Sequence, residues 1–174
     1  MFRLLFAVTI FVLSCKSYND KHIHDLSLPK NNISQRNEFS NLSVIIDYGF
    51  KGIDLTTHSY WVIVNGKKVA TPFDLAPEEY NYIKEKLVNS GILSFPDTVM
   101  IYDDCDMMPK IPTNVYIKGN TRTKFFQLDE NCPLSHSRDP TKAIRISSVL
   151  DVIDSVVLNK PSVKKMPHSN KMYQ

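Results

Sequence analysis

The sequence is poor in glycine, with only five in 174 residues. These glycines are scattered, so the chain lacks the glycine-rich loop before a helix that holds a nucleotide phosphate. It also lacks the Gly-x-Ser-x-Gly turn that exposes the nucleophile of many serine hydrolases. Ser135 and His136 are neighbours in sequence only, and we interpret them as part of a polar loop. The sequence therefore argues against nucleotide binding and against serine-type hydrolysis.

The chain also has little excess of positive over negative charge, since its formal net charge is only +3 at pH 7. No basic cluster stands out in the part of the sequence that we expect to fold, which argues against a nucleic-acid partner. Lysines gather only near the end, in a stretch that contains prolines and almost no periodic apolar residue. This composition predicts a basic disordered tail over residues 159–174. The aromatic content of 10% and apolar content of 43% are typical of a chain that buries a core, and we predict a single domain over residues 42–158.

The amino terminus has the order of an export signal. Arg3 gives a positive start, residues 4–13 are apolar except for one threonine, and Ser14 and Cys15 follow. This order predicts a signal peptide over residues 1–14. A helix of about ten residues is roughly 15 Å long, which is about half of the hydrocarbon core of a bilayer, so the run is too short to span a membrane.

The segment Val12-Leu13-Ser14-Cys15 resembles the lipobox of bacterial lipoproteins, although Leu13 stands where that family usually has a small residue. The resemblance implies that Cys15 carries the lipid (palmitate among its acyl chains) and anchors the protein to a bacterial membrane. The localisation that it implies is the cell envelope, either periplasmic or surface-exposed. An ordinary signal peptide that ends near a cysteine is the alternative. Residues 15–41 are polar and lack helical or strand periodicity, which predicts a flexible tether.

Three cysteines are an odd number, and acylation of Cys15 leaves Cys105 and Cys132 as a possible pair. We predict a disulfide between them, because an exported protein meets oxidising conditions. A closed loop of about 27 residues would stabilise the fold by roughly 3.5 kcal/mol. Two free buried thiols are the alternative.

Acidic residues concentrate around these two cysteines. The set, which we call the acidic corner, consists of Asp103, Asp104, Asp106, Asp129 and Glu130. Carboxylates that converge on one point bind calcium or act in acid/base catalysis. Two solvated acidic loops joined by a disulfide are the third interpretation, and the spacing does not match the calcium loop of an EF-hand. The sequence predicts no cofactor.

The alternation of apolar residues predicts an α+β fold. It consists of one antiparallel sheet of about six strands, with two helices packed on one face in a repeated hairpin–helix layout. Asn65-Gly66 predicts a tight hairpin, and Pro77 and Pro140 each predict the start of a helix. The strands are predicted at residues 43–48, 60–64, 67–70, 98–102, 113–117 and 122–128. This layout resembles that of small domains in uncharacterised bacterial envelope lipoproteins, a resemblance that implies no activity.

Two neighbouring aromatic residues on the second predicted strand suggest a contact surface. Tyr60 and Trp61 point to opposite faces of the sheet, because side chains alternate along a strand. One of them is expected to face solvent or a partner, whereas packing of both in the core is the alternative.

These patterns favour a non-catalytic binding or accessory module of the cell envelope, a class that includes inhibitors and immunity proteins. Its partners would be the membrane, through the lipid anchor, and an envelope protein or glycan. The alternative is a small envelope hydrolase or metal-dependent enzyme that uses the acidic corner. A structural spacer is a third possibility, and it would pair an exposed edge strand with a neighbour.

Overall fold

The computed structural model describes residues 42–102, 111–129 and 133–169. These residues form an α+β fold with seven strands and three α-helices. The strands are β1 (Ser43–Asp47), β2 (Lys51–Asp54), β3 (Ser59–Val64), β4 (Lys67–Pro72), β5 (Thr98–Ile101), β6 (Pro112–Lys118) and β7 (Thr123–Asp129). The helices are α1 (Pro77–Asn89), α2 (Pro140–Val157) and α3 (Pro161–Lys164). No helix in the described part of the chain is long and apolar enough to cross a membrane.

The strands form a single sheet in the order β4-β3-β2-β1-β6-β7-β5. The prediction of a purely antiparallel sheet is wrong in one pairing, because β5 runs parallel to β7. Strand β6 is paired with β1 on one side and with β7 on the other, and β5 lies along the outer edge of β7. The predicted number of strands was also too low, because β2 was missed.

The strand that was missed follows a tight turn. Gly49 has a φ of 80°, and the Tyr48 amide donates to the Lys51 carbonyl over 2.9 Å. The chain therefore reverses direction immediately after the strand predicted at residues 43–48. Strand β2 then pairs with β1 on one side and with β3 on the other. Its four residues include Gly52, and because glycine has low strand propensity, the local pattern does not predict a strand here.

The structure confirms the predicted hairpin between β3 and β4 and the predicted starts of helices α1 and α2. Asn65 and Gly66 have φ values of 50° and 74°, which confirms the tight hairpin between β3 and β4. Pro77 opens α1 and Pro140 opens α2, as predicted. The Asp139 carboxylate caps α2, because its Oδ1 accepts a hydrogen bond of 3.0 Å from the Lys142 amide.

The hydrophobic core lies between one face of the sheet and helices α1 and α2. Alternate residues of the strands point toward the helices, and the helices present apolar stripes in return. The fully buried side chains include Ile46, Ile53, Ile83, Leu87, Ile117, Phe126, Ile146 and Ile153. The opposite face of the sheet is not covered by a helix, and we call it the open face.

The predicted tail is partly folded. Residues 161–164 form α3, where the Val163 side chain is buried in the core. The Lys160 ammonium pairs with the Glu79 carboxylate at the start of α1, and the Ser169 hydroxyl donates to the Ile63 carbonyl over 2.8 Å. The prediction of disorder therefore does not hold between residues 159 and 169, because one buried valine and these polar contacts fix a segment that has no apolar periodicity.

Candidate functional site

Most residues of the predicted acidic corner lie outside the described part of the chain. These residues are Asp103, Asp104, Asp106 and Glu130. The three cysteines, Cys15, Cys105 and Cys132, also lie outside the described residues. Asp129 ends β7 and is half-buried. In residues 42–102, 111–129 and 133–169, no three histidine, cysteine or acidic side chains lie close enough to hold a metal ion. The metal site, the disulfide and the lipid anchor stay predictions.

The two aromatic residues that the sequence singled out lie on opposite faces of β3. Tyr60 points toward the helices, and only 7% of it is exposed. Trp61 lies on the open face, opposite Gly52 of β2. Its indole fills the space beside that glycine, because a Cβ added there would lie 2.3 Å from Cζ2 of the ring.

Trp61 also contacts β4, the strand on the other side of β3. The Lys68 ammonium of β4 lies 4.6 Å from the centroid of the indole, which is the geometry of a cation–π contact. The tryptophan therefore packs across β2, β3 and β4 within the chain. Because of these contacts, less of the Trp61 surface is free for a partner than the predicted contact surface at Tyr60 and Trp61 implies.

A larger group of apolar side chains lies on the open face, nearer to the other edge of the sheet. Ile45 of β1 is opposite Tyr116 of β6, and Tyr116 is opposite Phe125 of β7. The two aromatic rings are in contact, with centroids 5.0 Å apart. Ile45 is 38% exposed and Tyr116 is 43% exposed. Three adjacent strands thus contribute a continuous row of apolar side chains.

Edge strand β5 adds apolar side chains to the same face in the next row of the sheet, because Met100 lies opposite Gln127 whereas Thr98 lies opposite Phe125. Met100 is 49% exposed, and its sulfur accepts a contact of 3.3 Å from the Tyr102 hydroxyl, so both side chains lie on the same face. We call the five residues Ile45, Met100, Tyr102, Tyr116 and Phe125 the open-face patch. Large exposed side chains that cluster in this way are typical of contact sites, because isolated surface apolar residues are common but contiguous groups are not.

Polar side chains border the open-face patch. On one side the Gln127 amide donates to the Asn114 carbonyl oxygen over 3.1 Å, which joins β7 to β6. Asp47 continues this row on β1, and its carboxylate accepts from the Gly49 amide over 2.7 Å. On the other side Lys118 is exposed. Met100 lies at the end of this polar row, so apolar and polar side chains stand side by side on the open face, a mixture found in many protein–protein interfaces.

A second polar centre lies on the helix-covered side. The Tyr48 hydroxyl donates to Oδ1 of Asp154 over 2.8 Å, and the Lys51 ammonium lies 4.7 Å from the Tyr48 ring centroid. Burial raises the pKa of Asp154, and the nearby Asp151 raises it further. The Tyr48 hydrogen bond and the Lys51 charge act in the opposite direction but do not outweigh the burial.

Sequence reasoning missed this second centre, because Tyr48 and Asp154 lie 106 residues apart. A weak signal was present, since Asp154 directly follows Ile153 within the apolar stripe of α2. Such a position places a carboxylate beside the core. The sequence alone does not show which strand residue meets it.

Comparisons with known proteins add no functional information. No protein-family model matches this chain, and no curated protein matches it. Function is therefore inferred from the chemistry of the surfaces described above.

Proposed function

We propose that this protein is a non-catalytic binding module of the bacterial cell envelope, anchored through lipid on Cys15, and that its open-face patch binds a partner protein. The observation that carries the proposal is the patch itself. Ile45, Met100 and Tyr116 are each more than a third exposed, and they lie on the face that no helix of the described chain covers. A fold that serves only its own stability has no need for this arrangement.

The composition of the patch supports a protein partner. Methionine and aromatic residues are enriched at the centres of protein interfaces, where they fill pockets in the partner. Ile45 and Met100 add aliphatic surface that does not stack on a sugar ring. The neighbouring amides of Asn114 and Gln127 bond to each other, so they have less hydrogen-bonding capacity left for a glycan. These features favour a protein over a glycan as the partner.

A photo-crosslinking experiment tests the proposed surface. Tyr116→p-benzoylphenylalanine places a photoreactive ring in the centre of the open-face patch, and Tyr82→p-benzoylphenylalanine places the same group on exposed helix α1 as the control. The full chain is produced in its native host and illuminated in intact cells. We expect one discrete protein adduct from position 116 and none from position 82.

A pair of matched surface substitutions then tests whether the patch drives the contact. Ile45→Lys puts a charge into the patch, whereas Ile144→Lys puts the same charge on helix α2, where the wild-type side chain is 54% exposed. We expect Ile45→Lys to abolish the adduct at position 116 and Ile144→Lys to leave it unchanged. Equal adducts from positions 82 and 116, or an adduct that survives Ile45→Lys, would refute the proposal. Retention of the protein on envelope polysaccharide without any protein adduct would identify a glycan instead.

The lipid anchor is tested separately. Cys15→Ser removes the sulfur that the lipid requires, so labelled palmitate is expected to enter the wild-type chain and not the variant. The variant should also leave the membrane fraction. Palmitate incorporation that persists in Cys15→Ser would show that the lipobox interpretation is wrong, without bearing on the open-face patch.

A further inference from the structure

A groove of about 580 Å³ lies on the helix-covered side of the sheet, away from the open face. Strands β2 and β3 form one wall, and helix α3 with the residues that follow it forms the other. Side chains from both walls line it, among them Lys51, Tyr60, Val62, Val163, Lys164 and Met166. The volume lies within the range of sites that bind small organic molecules, which is about 300–1,000 Å³.

The outer wall of this groove is fixed by several contacts. Val163 is buried against the core, and the Met166 amide donates to the Val163 carbonyl over 3.0 Å. The Ser169 hydroxyl bonds to the backbone of β3 at Ile63, and Lys160 is paired with Glu79. The groove is therefore built by the fold and does not depend on a ligand to form.

Tyr60 supplies the observation that points to a ligand. Its side chain is almost completely buried and lines the groove, yet its hydroxyl has no hydrogen-bond partner among the described residues. Buried hydroxyl groups nearly always have a partner, because leaving one unpaired lowers the stability of the folded state. Tyr48 gives the contrast within the same fold, since its hydroxyl donates to Asp154. A bound molecule would supply the partner that Tyr60 lacks.

The charge of the lining indicates what kind of molecule fits. Lys51 and Lys164 bring two ammonium groups to the groove, His168 lies beside them, and no acidic residue in the described chain lines it. Burial raises the pKa of Tyr60, and the charge of the Asp154 carboxylate raises it further. The Tyr48 hydroxyl and the Lys51 ammonium both face that carboxylate and offset its charge. The groove therefore combines apolar walls with two lysines and a histidine, and with no carboxylate among its described lining residues.

We propose that this groove binds a small amphiphile with an anionic head group. The apolar body of the ligand lies along Val62, Val163 and Met166, and its head group pairs with Lys51 and Lys164. The Tyr60 hydroxyl donates a hydrogen bond to the same head group. A carboxylate and a phosphate share this chemistry, and the experiment below separates them.

The test measures binding of octanoate to the full chain by isothermal titration calorimetry. Octan-1-ol and octylammonium have the same apolar body with a neutral and a cationic head, and octyl phosphate carries the other anionic head. We expect saturable binding of octanoate or octyl phosphate, and the tighter of the two identifies the head group. We expect octan-1-ol to bind at least about tenfold more weakly, because it has no charge for the lysines.

Two variants locate the binding in the groove. Tyr60→Phe removes only the hydroxyl and is expected to weaken anion binding about tenfold. Without a ligand, the same variant should unfold at the same or a higher denaturant concentration, because the lost hydroxyl has no partner among the residues that the structure describes. Lys164→Ala is expected to weaken binding about threefold. Lys165→Ala removes an adjacent exposed lysine that does not line the groove and serves as the matched control.

Three results would overturn the proposal. The first is the absence of saturable heat with both anionic probes. The second is binding of octan-1-ol as tight as that of the anions, which would make the head group irrelevant. The third is anion binding that neither Tyr60→Phe nor Lys164→Ala weakens, which would place it elsewhere on the protein. The open-face patch is not involved in any of these measurements, so their failure leaves the proposed partner surface unaffected.

Discussion

Replacement of the exposed Asp97 is expected to destabilise this protein more than replacement of its buried partner, Lys124. The Lys124 side chain is only 2% exposed, whereas that of Asp97 is 63% exposed. The ammonium donates to the Phe95 carbonyl over 2.6 Å and to the Asp97 carboxylate over 3.2 Å. These contacts hold the segment before β5 against β7. The substitutions compared are Asp97→Ala and Lys124→Met.

The magnitudes follow from what each substitution leaves buried. Asp97→Ala leaves an ammonium in the core with one carbonyl partner. Removal of one member of a fully buried ion pair costs about 3–5 kcal/mol, and we expect about 2 kcal/mol here because water reaches Asp97. Lys124→Met removes the charge together with its desolvation cost and keeps an unbranched apolar chain. It leaves the Phe95 carbonyl without its partner, which costs about 1 kcal/mol.

The assay is urea unfolding of the wild type, both single variants and the double variant, with the slope checked for constancy. The double variant should match Lys124→Met, which corresponds to a coupling free energy of about 2 kcal/mol. Asp74→Ala, at another exposed aspartate, is the control and should change little. A loss below about 0.5 kcal/mol for Asp97→Ala, with a loss above about 2 kcal/mol for Lys124→Met, would refute the reasoning.

Three further variants test other parts of the structure. Asp154→Asn should stabilise the protein at neutral pH. Because the pKa of Asp154 is raised in the folded wild-type protein, its protonated carboxyl contributes fully to stability below about pH 3.8, and this contribution is lost as the pH rises through the folded-state pKa. The stability gained by Asp154→Asn should therefore grow with pH, and a gain that is constant with pH contradicts this. Gly52→Ala should cost about 2 kcal/mol, because its Cβ would lie 2.3 Å from the Trp61 ring and 2.6 Å from the Ile46 carbonyl oxygen, and unchanged thermal unfolding would contradict this close packing. Glu79→Gln should reduce stability at pH 7, since the hydrogen bond from Lys160 lowers the Glu79 pKa, and the reduction should vanish as the pH falls through that pKa. A deficit that persists in acid argues against the ion pair.

The parts of the fold that the sequence predicted are those with local causes. The hairpin at Asn65-Gly66 depends on two residues that tolerate positive φ, and the helix starts depend on Pro77 and Pro140. These signals act over a few residues, so they can be recognised without knowledge of the rest of the chain. The opposite orientation of Tyr60 and Trp61 likewise follows from strand alternation alone.

The elements that the sequence did not predict depend on distant contacts. Strand β2 contains Gly52, whose place in the sheet becomes intelligible only when the Trp61 indole is seen to occupy the missing side chain's volume. The parallel pairing of β5 with β7 joins two strands that are separated along the chain by β6. Neither fact is encoded in the residues of the strand itself.

The candidate sites show the same division. Alternation indicates that Tyr116 and Phe125 face opposite sides of their strands from Val115 and Phe126, but it does not show which side the helices cover. The unpaired hydroxyl of Tyr60 is likewise invisible in the sequence. It becomes evident only when the polar side chains of the described residues have been placed around Tyr60.

The position of β1 has a mechanical consequence. Although it is the first strand along the chain, it lies in the middle of the sheet and is hydrogen-bonded to β2 on one side and to β6 on the other. Tension applied along this strand through the residues that precede Leu42 therefore loads two ladders in shear. At an edge strand the same tension would strain one ladder and open its bonds in succession. If the chain is anchored through Cys15 as proposed, a pulling force reaches this central strand first, so the domain should stay folded under loads that would peel an edge strand away.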